Sequence, residues 1–198
     1  MPTLRVTKND EHLCTVGSSG LFMISAGIWG DLWSKEAAHL DVTGGTEEPD
    51  GKSDFLMWEF LHELQMGDRL RFDFADGDKS SRAPEVSPEK PETRGTPIPN
   101  RAWPPSEKEV AEWEQRPVLN NALAWRFSMN QGQPSVFRPE GGRQHLSFGL
   151  LWINRHPKRI RVSLHCKSLR EIVARKDGLD FITEYVPLGS HFELQLGA

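Results

Sequence analysis

Cysteine and tyrosine are nearly missing: the 198-residue chain holds two of the first and one of the second. Cys14 and Cys166 are too few for the disulfide frameworks that staple small secreted domains. Both read as reduced, half-buried strand residues. Long hydrophobic runs are missing as well. No stretch approaches the ~18–20 apolar residues that cross a bilayer as a helix. The opening MPTLRVTKND has no apolar segment of the kind a signal peptide needs. The expectation is a cytoplasmic protein with no membrane association. Phosphate-cradling glycine patterns are absent too, since Gly44-Gly45 and Gly141-Gly142 stand alone, without the GxGxxG or P-loop spacing. Asp73, Asp76 and Asp78 look like half a calcium loop, but neither frame supplies both its glycine and its closing glutamate. No cofactor or metal is expected.

What is present is period-two alternation. Leu4-Arg5-Val6-Thr7 and Leu13-Cys14-Thr15-Val16 flank a polar turn, which predicts a hairpin. LFMISAGIWGDLW follows, with Gly27 and Gly30 expected to mark bulges, then HLDVTGG, WEFLHEL and MGDRLRFDF. The same order returns later in the chain. WRFSM answers the first strand, LSFGLLW the segment ending at Trp29, RIRVSL answers HLDVTGG, DFITEYV answers WEFLHEL, and LGSHFELQL answers MGDRLRFDF. The offset stays at about 120–123 residues throughout. This reads as a tandem duplication. The alternative is two unrelated meanders that share turn chemistry.

The fold class expected is therefore mainly β, either sandwich-like or two docked antiparallel modules, with one or two short helices. Residues 1–75 form the first β unit, 76–121 a Pro-rich linker, and 122–198 the second β unit. Eight of fourteen prolines fall between Asp76 and Pro117, where a packed core has little to work with. Ser106 and Glu109 form a capping box, which predicts a helix over about 106–115. Ser168 and Glu171 form another, which predicts one over about 168–176. Trp29 and Trp152 fall at matching places and are expected in the core beside Phe72, Phe74, Phe192 and Leu194.

Charge is unevenly spread. Residues 1–75 carry 6 Lys and Arg against 13 Asp and Glu, a balance of −7. Residues 122–198 carry 11 against 6, a balance of +5. Acidic and basic halves should attract one another, orienting the pair more than stabilising it. The basic run Arg155, Lys158, Arg159 and Arg161 puts cations on one strand face and Ile160 and Val162 on the other. An RNA-binding surface there is one alternative, disfavoured by the overall acidity and the lack of a nucleic-acid motif. Trp33, Trp103 and Trp113, among glycines, prolines and charges, are candidate interface anchors. Glu47, Glu48 and Asp50 are candidates to meet a basic partner.

The catalytic readings are weaker. His12 and Cys14 should share a strand face and His165 and Cys166 should not, but the spacing fits no zinc pattern. A nucleophilic Cys166 with His145 or His191 has no diagnostic flank. The leading expectation is a non-catalytic protein-binding module, immunity- or adaptor-like, whose partner is another protein rather than nucleic acid. The alternative is an enzyme with a groove between the halves lined by His145, His165 or Cys166.

Overall fold

The computed structural model describes residues 1–46, 54–77, 79–86 and 104–197. Glu47, Glu48, Asp50, Asp78 and Trp103 lie outside them. Thirteen strands are present among the described residues: β1 (Pro2–Lys8), β2 (Glu11–Gly17), β3 (Met23–Asp31), β4 (Ala38–Gly45), β5 (Phe55–Leu64), β6 (Arg69–Asp76), β7 (Glu85–Val86), β8 (Trp125–Met129), β9 (Ser135–Phe137), β10 (His145–Ile153), β11 (Arg159–Lys167), β12 (Leu179–Pro187) and β13 (His191–Leu196). They form two antiparallel sheets packed face to face. One has the order β2-β1-β6-β13-β8-β9 and the other β12-β11-β10-β3-β4-β5-β7.

Alternation explains the packing. Along β10, HLSFGLLWI buries every second residue, so Leu146, Phe148, Leu150 and Trp152 point between the sheets. Ile24, Ala26 and Ile28 on β3 do the same. Facing them are Leu70, Phe72 and Phe74 of β6, Trp125 and Phe127 of β8, and Phe192 and Leu194 of β13. Phe148 meets both Phe72 and Phe127 at 5.5 Å between ring centroids, so both sheets and both halves contribute to one core. Each such side chain contributes roughly 1.5–3 kcal/mol on burial.

The two halves share both sheets. The strand order is unchanged when β1 to β6 are exchanged for β8 to β13, apart from the short β7. The joining ladders agree in register. In the six-stranded sheet Arg71 stands opposite Glu193, and in the other Gly27 stands opposite Gly149. Members of each pair are 122 residues apart in sequence. The turns correspond too. Asn9 and Asn130 are both left-handed, at φ 52 and 54, and each side-chain oxygen accepts from a backbone N–H, that of Arg69 at 2.9 Å and that of His191 at 3.0 Å.

Several sequence expectations change. Gly27 and Gly30 are not bulges, for β3 pairs in unbroken register on both sides. Gly27 faces open space, whereas Gly30 lies where a Cβ would sit 2.5 Å from the Ala37 carbonyl oxygen and against the Trp125 ring. Trp29 is not in the core. Under the 122-residue correspondence it matches Leu151, so it stands on the outer face, stacked on His39, while Trp152 points inward. His12 and Cys14 do not share a face either. A register shift in the β1–β2 ladder leaves His12 exposed beside Thr15 and buries Cys14. Among the described residues the ion pair that joins the halves, Arg71–Glu193 at 3.3 Å, has its cation on the acidic half and its anion on the basic one.

The helices follow their caps. α1 (Glu107–Glu114) and α2 (Leu169–Val173) each start at a reciprocal capping box, Ser106 with Glu109 and Ser168 with Glu171. Arg170 of α2 holds α1 through Glu107 at 3.0 Å and Glu114 at 2.9 Å. No described helix is long and apolar enough to cross a membrane.

Candidate interaction surface

Among the described residues β5 begins as an interior strand and ends as an edge, because β7 pairs only with Leu56 and Met57. Its ladder with β4 then shifts register twice, between Leu40 and Val42 and between Val42 and Thr43. Two adjacent apolar residues, Phe60 and Leu61, are pushed out at this point and stand 54% and 51% exposed. Leu61 has φ 49, a left-handed backbone that a bulky side chain seldom adopts.

Polar contacts hold the bulge on both sides. The Leu61 N–H donates to the Asp41 carboxylate at 2.7 Å. Burial pushes the Asp41 carboxyl above its ordinary range, against the opposing pull of that N–H and of His39. Glu59 accepts from Arg82 at 2.5 Å and contacts His62 Nδ1 at 3.1 Å, and Arg82 also donates to the Trp58 carbonyl. His62 in turn meets Lys8 Nζ at 3.3 Å. Glu59, His62, the Trp58 carbonyl and the Leu61 N–H are thus engaged in the fold, while the Phe60 and Leu61 side chains stand more than half exposed. A register break with a strained backbone marks positions under functional constraint more often than chance.

The described residues among those singled out from the sequence fall into two groups at opposite ends of β10 and β11. Arg155 and Lys158 lie in and beside the turn between those strands. Arg159 and Arg161 project from the outer face of β11, with Ile160 and Val162 buried behind them. The Arg159 guanidinium lies 4.6 Å from the Tyr185 ring centroid, and Arg161 stands directly opposite Tyr185. At the other end, Trp33 and Trp113 come together with His145 around a pocket of about 220 Å³ that Asp31 and Ser34 also line. Trp33 meets His145 edge-on at 5.3 Å. Asp31, cross-strand from His145, accepts from the backbone of Trp33 and Ser34 at 2.7 and 2.8 Å. Burial holds the His145 imidazole below its usual range, with Asp31 opposing, and its Nε2 has no hydrogen-bond partner among the described residues.

The sulfur chemistry is closed off. Cys14 is buried, and its thiol is pushed up to about 12, first by burial and then by Glu59. Cys166 is buried too, and its thiol is likewise raised by burial. Neither supplies a thiolate near neutral pH. Cys166 points between the sheets, His165 and His145 lie on the outer face, and His191 belongs to the other sheet, so these groups line no common groove. Among the described residues no group of His, Cys, Asp and Glu is placed to hold a metal ion.

The Phe60-Leu61 projection was not anticipated from the sequence. The signal is in the text: in WEFLHEL two adjacent apolar residues sit between charged and polar neighbours, which breaks period-two alternation and calls for a bulge. Set against known protein families, curated proteins and solved structures, the chain matches none.

Proposed function

We propose that this protein is a cytoplasmic protein-binding module, adaptor- or immunity-like, whose partner docks on the β5 edge around Phe60 and Leu61. The observation that carries the reading is that apolar pair, each residue more than half exposed, held outward by a bulge whose other groups are bonded within the fold. A bulged edge does not accept an added strand, because its backbone groups are out of line. Recognition therefore runs through side chains: Phe60 and Leu61 enter an apolar pocket on the partner and supply most of the affinity. The acidic half, with Glu47, Glu48 and Asp50 in the segment leading into β5, favours a basic partner and speeds its approach. The two-fold exchange of strands supports descent from a tandem duplication: the β11–β12 ladder repeats the Val42/Thr43 shift at Leu164/His165, while the Leu40/Val42 shift that raises Phe60 and Leu61 has no counterpart there.

The test is native mass spectrometry of the protein isolated gently from its own cells, beside the variant Phe60→Ser/Leu61→Ser. The expected result is a stoichiometric basic partner on the natural chain and none on the variant, with both chains equally folded. Recovery of the same partner on the variant, or a bare natural chain, sinks the proposal.

A further inference from the structure

Two rows of side chains cross the outer face of the six-stranded sheet, one on each side of the Arg71–Glu193 pair. In the first row Arg5 stands opposite Asp73, and Asp73 opposite His191. In the second Arg126 stands opposite Gln195, and Gln195 opposite Arg69. The rows correspond when the halves are exchanged: Arg126 follows Arg5 by 121 residues, Gln195 follows Asp73 by 122, and His191 follows Arg69 by 122.

The rows differ in a carboxylate. Asp73 centres the first row, and Arg71 donates to its oxygens at 2.8 to 3.2 Å. Gln195 centres the second with a neutral amide. A concavity of about 250 Å³ opens there, lined among others by Arg69, Arg71, Arg126, Ser128, Glu193 and Gln195. The second row therefore has Arg126 and Arg69 on either side of a neutral centre, without the anion that the first row carries.

Those cations are available. Arg126 is exposed and makes no ion pair among the described residues. Arg69 meets Asp10 at 2.8 Å, but the two side chains are 62% and 89% exposed, so solvent screens that pair and an incoming anion can share the guanidinium. Glu193 is turned toward Arg71 at 3.3 Å. Strand spacing sets Arg69 and Arg126 about 10 Å apart at the backbone, a gap that two arginine side chains close over one small ion.

We infer that this second row is an oxyanion site. A carboxylate or phosphate group takes the place that the Asp73 carboxylate occupies in the first row, held by the Arg126 and Arg69 guanidinium groups, with the Gln195 amide and Ser128 hydroxyl as neutral donors. Guanidinium groups suit such planar or tetrahedral oxyanions because their fixed N–H forks match the oxygen spacing. Asp10 and Glu193 also line the concavity and oppose a further negative charge. Together with solvent exposure they keep the binding weak and salt-sensitive.

Gln195→Asp supplies the most direct test, because it installs in the second row the carboxylate that the first row already has. The arginine side-chain Nε–Hε signals are followed by NMR during titration with sodium phosphate and, separately, sodium acetate. Sodium chloride at matched ionic strength is the control. Saturable binding with shifts at Arg126 and Arg69 is expected for the natural chain. It should weaken at least tenfold in Gln195→Asp and in Arg126→Gln, and persist in Arg5→Gln, with thermal unfolding reporting that each variant is folded. Response to phosphate alone identifies a phosphorylated ligand as the source, and response to acetate a carboxylate. The inference is overturned if neither anion saturates beyond chloride, if Gln195→Asp and Arg126→Gln bind as well as the natural chain, or if Arg5→Gln loses binding to the same extent.

Discussion

Leu61 carries two costs at once, an apolar side chain in water and a left-handed backbone. A left-handed L-residue costs roughly 1–2 kcal/mol, while a glycine there loses about 0.5–1 kcal/mol of extra chain freedom on folding. Leu61→Gly should therefore stabilise the protein by about 0.5–1 kcal/mol in urea unfolding, while weakening capture of the proposed partner. A loss of about 2–5 kcal/mol is what a packed leucine would show; that result would make Leu61 a core residue and remove the basis for the docking surface. Residue-scale features of this kind were half legible. The letters WEFLHEL contain the break in alternation, but which face inherits the extra residue depends on β4, and β4 supplies Asp41 to fix it. Trp29 shows the same limit. Its neighbours are right for a core strand, yet the frame of alternation puts Ile28 and Gly30 inside and Trp29 outside.

Among the elements, α1 and the strand ends beneath it form a pH-sensitive contact around His145. His145 sits under Trp33 in the pocket that Trp113 also lines, and burial lowers its pKa from the ordinary 6.5. A depressed histidine binds its proton more weakly in the folded state than in the unfolded chain. Its contribution to stability is thus complete above about pH 6.5 and is lost as pH falls from there through the folded value. His165 is lowered as well, first by burial and then by Lys167, and adds to the same loss. Unfolding free energy measured between pH 8 and pH 5 should fall on the acid side, and His145→Gln should flatten part of that fall. An unchanged slope in the variant would mean that His145 titrates as freely folded as unfolded. Both helices were legible because capping is local: Ser106 with Glu109 and Ser168 with Glu171 are each three residues apart. Their docking was not, for it rests on Arg170 reaching Glu107 and Glu114 from 63 and 56 residues away.

For the whole molecule, the joining ladders decide how the chain folds. β3 pairs with β10 along nine residues and β6 with β13 along five, so each sheet is completed only when both halves are present. A half on its own would expose two long strand edges and one side of the Phe72–Phe148 contact. Residues 1–86 and 122–198 produced separately should show no cooperative unfolding as monomers, and mixing them should restore β-sheet circular dichroism. A monomeric half that unfolds cooperatively would show that the halves are independent domains joined at their edges.

The sequence by itself determined what depends on neighbours in the chain: the strands from their alternation, the helix starts from their caps, and the recurrence of one pattern after about 122 residues. The tertiary structure decided what depends on register between distant segments. It set Gly27 against Gly149 and Arg71 against Glu193, joined Trp33, Trp113 and His145, turned Trp29 outward, and raised Phe60 and Leu61 at the edge. Side chains alternate every residue along a strand, so a shift of one position in pairing reverses which of them meet the core and which meet solvent.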